Sequence, residues 1–247
     1  MAMQAGKRHT VNRAVLEKLP LFKNDPIRSI EPVGTQGYCN LNYRIETTRH
    51  TYLLRVFKEE GIDRQKEFDL QQKAANLSIA PRPLLLDLDA GWMITEFVKG
   101  EHLKVLEESR MKLLAKTLQT LHTIETDTPP LALYDLLKER SETIGRTFKL
   151  VESYPKEIVL CHNDLNPKNL LWRENHVTLI DFEYAAANDR YFDVAAVCEE
   201  FSFSQMAQAN FCSFYFEGDY IVQKVEAYRM IYRQLCHEWF EGRYPLF

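Results

Sequence analysis

The chain has 247 residues, 45% apolar and 27% charged, the profile of a globular protein able to bury a full core as one large domain or two small lobes. A formal net charge of −4 leaves no basic footprint for nucleic acid or an anionic membrane. The five cysteines (Cys39, Cys161, Cys198, Cys212 and Cys236) are scattered without a C-x-x-C spacing, and no apolar run resembles a signal peptide or a membrane span. These features argue against a disulfide or zinc framework and predict a cytoplasmic chain with reduced thiols and no membrane insertion.

From about residue 27 to residue 97 the text is strand-rich. Ile27–Val33, Leu41–Thr47 and Thr51–Phe57 are short runs of β-branched and aromatic residues. A helix-favouring stretch from Asp63 to about Leu77 follows, with Phe68, Leu70, Ala74 and Leu77 as its expected buried positions. Leu84–Leu88 and Trp92–Phe97 flank the Asp89-Ala90-Gly91 turn as two more strands. After Gly100 the pattern turns helical. Ser109 is placed to cap a helix carrying Met111, Leu114, Ala115, Leu118 and Leu121, and a second helix is expected from Leu131 towards Val151. Two short strands, Ile158–Cys161 and Val177–Ile180, bracket the polar segment HNDLNPKN, and helices rich in Phe and Tyr run on from about Phe192. The pattern predicts a β-rich lobe over 1–97 joined to a helical lobe over 98–247.

The polar segment carries the chemistry. His162, Asp164, Leu165 and Asn169 fit H-x-D-L-x-x-x-N, the spacing of a kinase catalytic loop, and a second apolar strand ends at Asp181-Phe182. Phosphoryl transfer calls for a group that orients a hydroxyl and takes its proton, which suits Asp164. It also calls for hard oxygen ligands for magnesium, which the amide oxygen of Asn169 and the carboxylate of Asp181 supply. The bland alternative is a buried polar pair, His162 with Asp164, holding a turn. Upstream, Gly34-Thr35-Gln36-Gly37-Tyr38-Cys39-Asn40 links two strands and could curl over phosphates through backbone N–H groups, although it does not fit G-x-G-x-x-G. Arg55 sits mid-strand, where a cation is costly to bury. It stands where kinases carry a phosphate-contacting lysine, with Glu67 on the next helix to orient it. A surface-facing arginine on an edge strand is the alternative.

With these residues in view the chain resembles the choline/ethanolamine kinase family, within the aminoglycoside phosphotransferase-like small-molecule kinases. The matching text is Leu53-Leu54-Arg55, Arg64-Gln65-Lys66-Glu67, HNDLNPKNLLW (162–172), Ile180-Asp181-Phe182-Glu183-Tyr184, the run from Asn188 to Asp193, and Glu200. The resemblance implies an α+β, bilobal protein-kinase-like fold, with a small five-stranded antiparallel β lobe and a larger, mostly helical lobe. It implies ATP as cofactor, with its adenine against the backbone of Glu96–Val98 and phosphate contacts near Gly37, Asn40, Arg55 and Glu67. Asp164 would be the base, Asn169 and Asp181 the Mg2+ ligands, and Asp193 a brace for the catalytic loop. The glycine loop lacks the family's run of small residues, Lys168 stands where a small residue is common, and the chain is short for a eukaryotic-type member.

The residues after Asp181 contain no A-P-E segment, which disfavours a protein substrate. A small-molecule acceptor remains, and the resemblance points to a choline-like cation held by aromatic faces and a carboxylate. Tyr184 and Glu200 fall where that pocket is expected. Tyr228, Tyr232 and Trp239 are candidates for its other walls, with core packing as the alternative for all of them. Choline or ethanolamine is the expected alcohol, and thiamine or an aminoglycoside the alternative. A catalytically inactive nucleotide-binding scaffold is the reading from a different class. Loss of Asp164, Asn169 or Asp181 would mark it, and all three are present.

Overall fold

A computed structural model describes residues 12–34 and 40–241. The chain forms two compact units, one of residues 1–65 with 81–98 and one of residues 66–80 with 99–247.

In the first unit a short helix, α1 (Arg13–Leu16), and a 3-10 turn (Pro20–Phe22) precede β1 (Ile27–Pro32), β2 (Asn40–Thr47) and β3 (Thr51–Phe57). After helix α2 (Arg64–Asn76) come β4 (Pro83–Asp87) and β5 (Trp92–Glu96). All five strands pair antiparallel in the order β1-β2-β3-β5-β4, so the β4–β5 hairpin joins the sheet through its second strand. Side chains alternate across a strand. Tyr52, Leu54 and Val56 therefore share one face and pack with Ile45, Trp92 and Ile94, over which Leu16 and Phe22 close. Arg55 lies on the opposite face of β3, between Asn42 and Met93, and is only 5% exposed. Asp25 ties the β2–β3 turn: its carboxylate accepts the Thr47 hydroxyl at 2.6 Å and the Arg49 N–H at 2.9 Å, and pairs with His50 Nδ1 at 2.8 Å. Burial works against its charge, but the bonds from Thr47, His50 and Arg49 prevail and hold its pKa down to about 2.

The second unit is helical: α3 (Glu108–Leu121), α4 (Leu133–Leu136), α5 (Glu142–Glu152), α6 (Arg190–Glu200), α7 (Gln205–Phe216) and α8 (Val222–Phe240). Four short strands interrupt it. β6 (Ile158–Cys161) pairs with β9 (Ala186–Asp189), and β7 (Leu170–Arg173) with β8 (His176–Leu179). Its core gathers Leu114, Leu118 and Leu121 of α3, Val194 and Val197 of α6, and Val225 and Ile231 of α8 around Leu165 and Phe182.

Three expectations are corrected. Leu77 is 44% exposed, because α2 stops at Asn76 and Ser78, at φ 61°, turns the chain away. Ser109 lies inside α3, whose N-cap is Glu107, two residues earlier. The helix expected over 131–151 is broken, since the Glu238 carboxylate takes the N–H groups of Lys138 and Glu139 at 2.8 and 3.2 Å. Ser141 then restarts the helix as N-cap of α5. No helix among the described residues is long and apolar enough to cross a membrane, and Cys161, Cys198, Cys212 and Cys236 are free thiols.

Candidate active site

The HNDLNPKN segment leaves β6 as a loop held from behind by one buried carboxylate. Asp193, in the first turn of α6, accepts the N–H of His162 at 2.8 Å and of Asn163 at 2.9 Å, and a third bond from His122 Nε2 at 3.1 Å. Asp193 is fully buried, so these charge-assisted bonds act at low dielectric and fix the loop's path. His122 is itself oriented by the Tyr215 hydroxyl, 2.5 Å from its Nδ1. Asn163 adopts φ 65°, which Asn tolerates better than most residues. Its side-chain amide donates to the Tyr184 carbonyl at 3.0 Å and accepts from Asn188 at 2.9 Å. The loop's return to β9 is thereby stitched.

Asp164 projects from this frame with both oxygens aimed. Oδ1 accepts Asn166 Nδ2 at 2.9 Å, and Oδ2 accepts Asn169 Nδ2 at 2.6 Å. The Asn169 amide nitrogen is thus spent on Asp164, and its amide oxygen has no partner among the described residues. Asp181 follows β8 at φ 68°, a left-handed conformation uncommon for residues other than glycine. Behind it Phe182 is fully buried, its ring 5.0 Å from that of His162, whose Nε2 lies 3.1 Å from the Ile180 carbonyl. Burial pushes the Asp164 carboxyl above the usual carboxylate range, the Asn166 hydrogen bond and His162 oppose this, and the Asp181 charge adds to the rise. Asp164 is thus in contact with Asn169 and within reach of the Asp181 charge.

The Asp164 charge is also felt at Glu200, the last residue of α6, and at Tyr232 on α8. Glu200 Oε1 accepts the Tyr232 hydroxyl at 2.7 Å, and burial raises the Glu200 pKa despite that bond. Phe192 meets Tyr232 and Tyr228 edge-on, at 5.7 and 6.1 Å. The two tyrosines share a face of α8, yet Tyr228 interacts with Asp189 whereas Tyr232 serves Glu200. Tyr184 is half-buried, and Trp239 is half-buried further along α8.

In the first unit, Asn40 is buried and its amide oxygen takes a bond from Arg64 at 3.3 Å, while the Arg64 guanidinium stacks 4.2 Å over the Phe57 ring. The Glu96 N–H bonds the Arg82 carbonyl at 2.9 Å, and its side chain is exposed. Val98 keeps its main-chain N–H and C=O without partners among the described residues. Gly37 lies outside the described residues. In the second unit Glu67 is fully buried, and with Leu70, Gln71 and Ala74 it makes the buried part of α2 there. Polar residues at helical spacing on a buried face are costly unless they are satisfied and used. Sequence reasoning missed Arg64, Asn163, Asn166 and His122. The Asn-rich HNDLNPKN text was a signal for the two asparagines, because Asn suits left-handed backbone and local capping.

The family model described as the phosphotransferase enzyme family matches residues 29–222. Protein LicA of Haemophilus influenzae is 24% identical over 197 residues, covering 69% of this chain and 58% of LicA. Ethanolamine kinase 2 of Homo sapiens is 27% identical over 227 residues, covering 77% of this chain and 57% of that protein. The chain thus spans less than two thirds of the length of these relatives. Among solved structures, the choline kinase LicA of Streptococcus pneumoniae superposes with a TM-score of 0.72 at 22% identity, over 90% of this chain and 88% of that one. The likeness gives the chain the α+β protein-kinase-like fold that its motifs implied. With the match covering residues 29–222, the chain belongs to the phosphotransferase enzyme family.

Proposed function

We propose that the protein transfers the γ-phosphoryl group of ATP to the hydroxyl of a small cationic amino alcohol, choline or ethanolamine. The observation that carries this reading is the position of Asp164, its oxygens oriented by Asn166 and Asn169 and its charge coupled to Asp181 and to the Glu200–Tyr232 pair. Asp164 takes the proton of the alcohol as the oxygen attacks phosphorus, leaving a phosphomonoester and ADP. Its raised pKa makes it a better proton acceptor than an ordinary aspartate. Asn166 and Asn169 keep the carboxylate from rotating.

A magnesium ion fits the donors present: the unpartnered amide oxygen of Asn169 and the half-buried Asp181 carboxylate are hard oxygen ligands. When bound, magnesium neutralises charge on the phosphate oxygens. Arg55 and Asn40, with Glu67, are assigned to the nucleotide phosphates, as is Gly37, and the main chain of Glu96–Val98 to adenine. The unpartnered Val98 groups support that last assignment. For the acceptor, Glu200 supplies the counter-charge and the Tyr232 ring a π face for an ammonium group. Tyr184 flanks the catalytic loop, and Tyr228 props the wall from behind Phe192.

The relatives' names support this choice: one is an ethanolamine kinase and one solved neighbour a choline kinase. A coupled ADP-release assay across choline, ethanolamine, thiamine and kanamycin tests it. One of the first two should give the highest kcat/KM. Kanamycin in first place would move the protein to the antibiotic branch, and no ADP release above the ATPase background with any of them would sink the reading.

A further inference from the structure

In the second unit the stretch 100–102 is stitched to β7, the strand that follows the catalytic loop. Glu101 and Trp172 exchange two main-chain bonds, at 3.0 and 2.9 Å. Gly100 permits that approach, for a Cβ there would lie 3.0 Å from the Leu171 Cβ and 3.1 Å from the Trp172 carbonyl. The next residue, His102, is thereby aimed at the turn that carries Asn169. Its Nδ1 lies 3.2 Å from the Pro167 carbonyl and 3.1 Å from the Leu170 carbonyl. These two oxygens bracket the 3-10 turn Pro167–Asn169. A ring nitrogen facing two acceptors must carry hydrogen, so His102 is an Nδ1–H donor shared between both ends of the turn.

We infer that His102 is a positioning residue, clamping the 167–170 turn so that the Asn169 amide oxygen is held for the metal–nucleotide complex. The clamp is external to the core: His102 is exposed, and its ring makes no other hydrogen bond among the described residues. Asn169 is otherwise fixed through its main chain, to Asn166 and to Ile180, and through Nδ2 to Asp164. None of those contacts sets the tilt of the turn against the 100–102 segment. This inference rests on the reading of Asn169 as a metal ligand.

The test compares His102→Ala, His102→Phe and His102→Asn with the wild type and with Asn169→Ala. Asparagine places an amide N–H where the imidazole Nδ1–H stood, whereas phenylalanine keeps the bulk without the donor. Affinity for the magnesium complex of a non-hydrolysable ATP analogue is measured by calorimetry, with no turnover involved, and kcat and the alcohol KM alongside. His102→Ala and His102→Phe should bind the complex about tenfold more weakly with kcat reduced to match, the alcohol KM unchanged and the thermal midpoint close to wild type. His102→Asn should recover most of that loss. Wild-type affinity in His102→Ala, or equal losses in all three variants, would overturn the clamp while a defective Asn169→Ala kept the metal reading intact. Wild-type affinity and turnover in Asn169→Ala would remove the metal reading and the clamp together.

Discussion

Replacing Asp193 by asparagine tests whether the catalytic loop is held from behind. The side chain is fully buried and accepts three bonds, two of them from the N–H groups of His162 and Asn163. Asparagine has one acceptor oxygen, so at least one of the three donors must face an NH2 group. A hydrogen bond to a charged partner contributes about 1.5–3 kcal/mol, and a buried donor left unpaired costs about 1–3 kcal/mol. Asp193→Asn should therefore lose roughly 3–5 kcal/mol of stability in urea unfolding. The loop that regains its bonds by shifting also carries Asp164, and a misplacement of about 1 Å is worth roughly 100-fold in rate. Turnover by the folded fraction, at saturating ATP and alcohol, should fall by about that factor. A wild-type urea midpoint would refute the accounting of the three bonds. A lowered midpoint with unchanged turnover would refute the link from Asp193 to the geometry of Asp164.

Other perturbations probe separate parts. Lys224 is fully buried and pairs with Asp189, the N-cap of α6, at 2.7 Å, so Lys224→Met strands a buried carboxylate and should cost about 3–5 kcal/mol in urea unfolding. Adding Asp189→Asn should return a good part of that loss, and a merely additive double variant would contradict the pairing. Asp25 has its pKa depressed, so its contribution is present above about pH 4 and is lost as pH falls towards about 2. Asp25→Asn should accordingly be less stable than wild type at pH 7 and converge with it by about pH 2. A gap that stays constant with pH would refute this. Glu200→Gln should raise the KM for a cationic alcohol about tenfold or more with little change in ATP affinity. Because burial raises the Glu200 pKa, the wild-type KM should climb as pH falls and the variant's should not.

The proposed chemistry is read from the text because phosphoryl transfer tolerates few residue types. Asp164, Asn169 and Asp181 have fixed identities at fixed spacing, and β1, β2, β3 and β5 announced themselves through β-branched and aromatic residues, β4 through the Asp89-Ala90-Gly91 turn beside it. What stayed hidden depended on distant partners. The break before α5 is made by Glu238, 100 residues away from Lys138. β9, reading Ala-Ala-Asn-Asp, has no strand propensity of its own and exists because β6 offers it a ladder. On α2, Leu70 and Ala74 were rightly expected inside, but a search for apolar periodicity passes over the buried Arg64 and Gln71. Tyr228 and Tyr232 were rightly set on one face of a helix, but spacing alone gave no hint that one would serve Asp189 and the other Glu200.

Single-turnover transfer by Asp164→Ala, measured beside its affinity for the magnesium–ATP complex, tests the assignment of the base most directly. Nucleotide binding should remain within about threefold of wild type, while transfer to choline or ethanolamine falls by roughly 100-fold or more. Transfer at the wild-type rate would contradict the role given to Asp164 and the mechanism built on it.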